Sequence, residues 1–206
     1  MAIWDPVTYD KAWTDMAAAG KDPHGEVAFV ERLLGRWGLA DTAKPSDASA
    51  GLRMLDAGCG TGRVAVELDR RGYLVEGTDV DSDMLGEAAS KAPHLVWTKD
   101  DLARLALGRM FDLIVLSGNV ILFVEPNDRA LVAPSLRSHV PLGALVVQGM
   151  QLARTDGRQV AVAQLDEWMF GAGFALAERW ATWDEDPWSP EADYVVSVHQ
   201  AVIQAA

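Results

Sequence analysis

The chain has 206 residues, half of them hydrophobic, which is enough to bury the core of one ordinary domain and argues against intrinsic disorder. A formal charge of −12 argues against nucleic acid as the main partner, because that contact needs Lys and Arg to neutralise phosphates. One cysteine excludes an internal disulfide, and Met1–Asp5 lacks the basic region of a secretory signal, so the expected setting is the cytoplasm, with no membrane partner.

Asp5-Pro6 reads as an N-cap followed by proline at the first helical position. The helix is expected to run to Ala19, with Gly20 as its stop. Tyr9 and Trp13 share one face of it, four residues apart. His24 lies in the linker that follows. It is the histidine best placed for general-base work, although a loop histidine is more often simply a solvated residue. Val27, Val30, Leu33, Leu34 and Trp37 then recur at helical spacing. The expected organisation is a single domain over 1–206, with residues 1–40 as a helical lid and 52–206 as the core. Residues 41–51, rich in Lys, Pro, Ser and Asp, form the loop between them.

From Leu52 onward strands and helices alternate. A strand near 52–57 delivers Asp56, and glycines follow at 58, 60 and 62 before a helix near 62–71. Glycine has no Cβ and tolerates positive φ, so this loop can turn sharply and expose bare backbone to a ligand. The spacing fails the dinucleotide fingerprint, because Arg63 or Val66 stands where the third small residue is required. Cys59, inside the loop, reads as a small half-buried filler. A second strand near 73–79 ends in Asp79, a carboxylate placed to accept from two ribose hydroxyls. Asp81 or Ser82 then caps a helix over 82–91.

A third strand near 94–98 leads to the acidic turn Asp100-Asp101-Leu102 and a short helix near 102–107. The fourth, 111–117, exits through Ser117-Gly118-Asn119; a helix near 126–138 and a strand near 143–150 follow. After a helix over 162–171 come strands near 174–183 and 194–203. The ten residues between these two contain Pro187 and Pro190, and a helix-free connection that short requires an antiparallel pair. Continuous apolar strands alternating with helices imply a parallel sheet covered on both faces.

Asp56-Ala57-Gly58-Cys59-Gly60-Thr61-Gly62 resembles motif I of the class I S-adenosylmethionine (SAM)-dependent methyltransferases, and Gly77–Leu85 resembles their second motif. The resemblance is close from Leu52 to Gly149. It points to the small-molecule enzymes of the ubiquinone/menaquinone and tellurite-resistance types. It implies a Rossmann-like α/β fold: a seven-stranded, mostly parallel sheet with helices on both faces and an antiparallel last strand. It also implies SAM as cofactor, with Asp56, Gly58, Cys59, Gly60, Gly62, Asp79, Val80, Asp101, Leu102 and Ser117 around it. Asp101 and Leu102 match the adenine contacts best, with Asp100 adjacent.

Departures are Leu105-Ala106 in place of Leu-Pro, and Pro141-Leu142-Gly143 in place of Pro-Gly-Gly. The reaction implied is in-line methyl transfer to a small-molecule acceptor, in which alignment alone can suffice. Tyr9, Trp13, Asn119, Trp183 and Tyr194 are the expected acceptor contacts, His24 the candidate base, and no metal is expected. The aromatic residues are also readable as core, and Asn119 as a loop cap. A SAM-binding regulatory module without turnover is the alternative from another class, and an aminopropyl transferase is the rival within the fold. The expected assembly is a monomer or homodimer.

Overall fold

The computed structural model describes residues 5–20, 22–40, 51–152 and 154–203; Trp4, Lys21 and residues 41–50 of the expected loop lie outside them. Helix α1 (Pro6–Ala18) begins where the Asp5 carboxylate accepts from the Thr8 N–H at 2.8 Å. It buries no residue. Helix α2 (Gly25–Arg36) is different, burying Val27, Phe29, Val30, Leu33 and Leu34.

The sheet comprises β1 (Arg53–Ala57), β2 (Leu74–Asp79), β3 (Trp97–Lys99), β4 (Leu113–Leu116), β5 (Leu145–Gln151), β6 (Phe174–Trp180) and β7 (Tyr194–Ala201). Their order is β3-β2-β1-β4-β5-β7-β6. All neighbours are parallel except that β7 runs antiparallel to both β5 and β6. Side chains alternate strictly between two buried faces. Leu55, Ala57, Ile114, Leu116 and Val146 enter one core, while Met54, Val75, Leu113, Val115, Leu145 and Val147 enter the other. A strand apolar at every position is the signature of a sheet sandwiched between helix layers.

Helices α3 (Arg63–Arg70), α4 (Ser82–Lys91), α5 (Val120–Phe123), α6 (Arg129–Arg137) and α7 (Val162–Gly171) follow among the described residues, with a single 3-10 turn at Leu102–Arg104 where a helix over 102–107 was expected. Asp81, rather than Ser82, caps α4. Several boundaries differ from the sequence reading. β3 is shorter because residues 92–95 close a turn, with the Leu95 N–H donating to the Ala92 carbonyl. β6 stops at Trp180 after an irregularity between Leu176 and Glu178. α6 begins three residues later than expected because Glu125–Asp128 forms its own turn. The one-turn helix α5 was not expected. At Pro141–Ala144, Gly143 supplies the positive φ of 87°, so Leu142 is accommodated without strain. Among the described residues no helix is long and apolar enough to cross a membrane.

Candidate functional site

The carboxyl ends of β1, β2, β3 and β4 open onto one crevice, where strand order reverses between β1 and β4. Gly58, Gly60 and Gly62 all have positive φ (75°, 55° and 78°) and wind the backbone tightly from β1 into α3. Their surroundings differ. A Cβ on Gly58 would meet Val120 Cγ1 at 2.5 Å, and one on Gly62 would meet the Trp97 ring at 2.6 Å, whereas Gly60 faces open space. The first and third glycines therefore serve close packing, and the middle one presents backbone to the crevice.

Asp79, at the end of β2, holds that loop from across the crevice. Its Oδ2 accepts from the Gly60 N–H at 2.8 Å and its Oδ1 from the Asp81 N–H at 2.9 Å. Burial pushes its carboxyl above the ordinary aspartate value, with both N–H groups pulling the other way. Around it lies a cavity of about 360 Å³ lined by Gly58, Gly60, Val80, Asp101, Leu102 and Ser117, with Tyr9 and Phe123 closing it. Val80 is 66% exposed, an apolar surface beside Asp79 suited to one face of a flat base. Asp101 Oδ1 accepts from the Ala103 N–H at 2.9 Å, while both Asp100 oxygens are taken by backbone N–H groups of Asp101 and Ala106.

A second cavity of about 500 Å³ adjoins the first. It is lined by Tyr9, Trp13, Met16, Asn119, Trp183 and Tyr194, with Glu26, Phe123 and Arg154. Tyr9, Gly118 and Phe123 line both cavities, so the two share a wall. Trp183 and Tyr194 meet at 6.4 Å between ring centroids, and the indole N–H donates to the phenol oxygen at 3.2 Å. Burial raises the Tyr194 and Tyr9 phenols above the usual tyrosine value, so both are neutral donors near pH 7.

These two rings sit directly on β5 at Gly149, where a Cβ would lie 2.3 Å from Trp183 Cζ2 and 2.6 Å from the Tyr194 hydroxyl oxygen. Gly149→Ala is therefore expected to cost about 1–3 kcal/mol of stability as the rings are forced aside. Urea denaturation measures this, and an unaltered midpoint would show that the rings do not rest on the strand.

Beneath the second cavity is a buried ion pair. The Arg63 and Glu26 side chains are 8% and 7% exposed, and two parallel hydrogen bonds of 2.9 and 2.5 Å join them. The Pro23 carbonyl also accepts from this guanidinium, and the Trp13 ring covers it at 3.8 Å. The first residue of α3 is thus tied to the start of α2 and to α1. The Thr61 hydroxyl adds a 2.5 Å hydrogen bond to Asp10, which also pairs with Lys91.

Asp56 is 1% exposed and accepts from the Ala65 N–H at 3.0 Å. Burial lifts its carboxyl to about 7, outweighing the opposing pull of that N–H and of Arg63. Its folded pKa thus lies above that of an unfolded aspartate, about 3.9. The stability it contributes is complete below that value and is lost as pH rises through 7. Thermal melts should show the wild type losing more stability than Asp56→Asn between pH 5 and 8. Parallel curves would contradict this.

The structure gathers Gly58, Gly60, Asp79, Val80, Asp101, Leu102 and Ser117 around the first cavity, and Tyr9, Trp13, Asn119, Trp183 and Tyr194 around the second. Three expected contacts belong behind the lining instead. Asp56 and Cys59 are buried, and Gly62 is closed off by Trp97, so they shape the loop from below. Burial also raises the Cys59 thiol well above its usual value, leaving a filler rather than a nucleophile.

The candidate base His24 needs correction. It lines neither cavity, although its neighbours Pro23 and Gly25 line the larger one; it occupies the N-cap position of α2 without a side-chain capping bond. Asn119 works structurally, because its left-handed backbone (φ 71°) turns the chain and its Oδ1 accepts from the Gln151 N–H at 2.6 Å. Glu26, Phe123 and Arg154 were missed. Glu26 and Arg63 are 37 residues apart, so no local pattern announces the pair.

A family model described as "Methyltransferase domain" matches residues 54–143. A magnesium-protoporphyrin O-methyltransferase of Rhodobacter capsulatus is 35% identical over 99 residues, 45% of this chain and 44% of that protein. The chain thus matches less than half the length of that curated relative. Among solved structures, a TehB-like SAM-dependent methyltransferase from Corynebacterium glutamicum superposes with a TM-score of 0.79 at 27% identity, covering 95% of this chain and 97% of the other. A SAM-bound magnesium protoporphyrin IX methyltransferase from Synechocystis shares the fold at a TM-score of 0.62 and 21% identity, over 84% and 77% of the two chains.

Proposed function

We propose that this chain, which belongs to the class I SAM-dependent methyltransferase family, binds SAM in the smaller cavity and methylates a small molecule held in the larger one. The observation that carries the reading is the shared wall. A cavity built from a glycine loop and a strand-end carboxylate meets an aromatic-lined cavity at Tyr9, Gly118 and Phe123.

The residues present fit the cofactor. Gly60 leaves open space for a ligand against backbone, and each Asp79 oxygen keeps a lone pair for a ribose hydroxyl after accepting one N–H. Asp101 keeps one acceptor site on each oxygen beyond the Ala103 N–H and Arg104, so it can still take an adenine amino group, with Val80 and Leu102 beside the ring. When bound, SAM supplies an electrophilic methyl carbon on a sulfonium. The chain's own task is then alignment and exclusion of water, which can supply a large share of the rate. Tyr9 and Phe123 close the passage between the cavities, and Trp13, Trp183 and Tyr194 pack around the acceptor. With both phenols neutral and Glu26 clamped by Arg63, positioning, rather than proton abstraction, is the contribution read here.

Calorimetry with SAM, S-adenosylhomocysteine and NAD tests the binding half. The first two should bind and raise the melting temperature by mass action. NAD binding more tightly than SAM would overturn the reading. S-adenosylhomocysteine release across a metabolite panel tests turnover, and silence throughout would favour a regulatory SAM-binding module.

A further inference from the structure

We propose that the acceptor is an amine: a small molecule with an apolar, ring-sized body and a basic nitrogen. This rests on the reading of the larger cavity as the acceptor site. Two features of that cavity select such a molecule. The walls present aromatic rings, with Tyr9 edge-on to Trp13 at 6.1 Å and Trp183 tilted against Tyr194. Faces of such rings attract cations as well as apolar groups. The lining also includes the exposed carboxylates of Asp22, before α2, and Asp184, after β6, and neither is ion-paired among the described residues.

The cations nearby are already committed. Arg63 is clamped by Glu26 and covered by Trp13. Arg154 is held by Asp156 at 2.5 Å and by Gln151 Oε1 at 2.9 Å. Among the described residues, a carboxylate or phosphate acceptor would meet two carboxylates without an ion-pair partner and no uncommitted guanidinium. The adjoining cavity adds to the same field, because Asp79, Asp81, Asp100 and Glu125 line it; Asp101 and Asp128 line it too, but are paired with Arg104. Clefts lined by one sign of charge concentrate the opposite ion and repel the like one.

In the reaction, the amine enters protonated and gives one proton to solvent as aromatic walls replace its water, since desolvation disfavours the charged form. Its lone pair then attacks the sulfonium methyl carbon. The N–C bond forms as the C–S bond breaks, sulfur keeps the bonding pair as a neutral thioether, and the product leaves as a methylated ammonium.

The test uses matched phenyl, naphthyl and indolyl compounds, each bearing an ethylamine, ethanol or acetate side chain. Binding is measured by calorimetry to the full chain saturated with S-adenosylhomocysteine, and methyl transfer by incorporation of labelled methyl. At least one scaffold should show the amine binding tenfold or more above its acetate, with label on nitrogen. That preference should fall at least threefold in Asp22→Asn/Asp184→Asn and in high salt. Amines that bind no better than acetates on every scaffold, absence of all binding included, would overturn the proposal. So would a preference unchanged in the double variant. SAM affinity, measured separately, distinguishes the two failures: a chain that binds SAM but favours acetates refutes the amine alone, and one that binds no SAM refutes the underlying reading.

Discussion

Asp79→Ala should weaken SAM binding by two orders of magnitude or more, while Asp83→Ala, four residues on, changes it little. The estimate follows from two hydrogen bonds from ribose hydroxyls to a carboxylate, each worth about 1.5–3 kcal/mol. Their joint loss of about 3–6 kcal/mol corresponds to a hundredfold or more in Kd. The carboxylate also anchors the glycine loop through the Gly60 N–H and the turn into α4 through the Asp81 N–H, and the alanine leaves both donors unsatisfied. Asp79→Asn separates the two effects, because its carbonyl can still accept one N–H while the charge is gone, so an intermediate loss is expected. Asp83 is exposed, its backbone N–H donates to Asp81, and its side chain makes no hydrogen bond or ion pair among the described residues. Calorimetry on the three variants decides the matter. Equal losses at positions 79 and 83 would remove Asp79 from the ribose site.

Why the smaller cavity was legible from sequence and the larger one only in outline follows from how each is built. The glycine loop and Asp79 stand at the ends of adjacent strands, and their spacing follows from strand and helix lengths. The register Ala57↔Thr78 puts these two ends side by side. The larger cavity is assembled from α1, the start of α2, the turn after β4 and the connection after β6, segments far apart in the chain. Aromatic residues at both flanks pointed to it. The physical links did not show: Gly149 in β5 is visible as a strand glycine, a mark of close approach, but nothing local says that Trp183 and Tyr194 are what approach it. His24 failed for a related reason. A linker histidine carries no signal of which side it faces, and here it stands at the N-cap position of α2 without lining either cavity. The short β3 and late α6 reflect turns closed by single backbone hydrogen bonds, which periodicity does not register.

Deleting Met1–Asp22 should abolish turnover while leaving SAM affinity within a few-fold. The described residues of the segment enter neither hydrophobic core, and α1 buries none of its own. Its attachments include the Asp10 bonds to Thr61 and Lys91, and the Trp13 ring over the Arg63 guanidinium. Arg63 keeps its two bonds to Glu26 after the deletion, so the pair is not left as an isolated buried charge, the case in which cost would be severe. The shortened chain should therefore fold, and its melting temperature and S-adenosylhomocysteine binding check this first. What it loses is Tyr9, from the wall shared by the two cavities, and Trp13 and Met16, from the acceptor side. Without them water reaches the methyl group and the acceptor has only the Trp183 and Tyr194 side to rest on. Misplacement of a reacting atom by about 1 Å already costs on the order of a hundredfold. Full-rate methylation by the folded, shortened chain would show that α1 is no lid, and the acceptor would then have to be held by Asn119, Trp183 and Tyr194 alone.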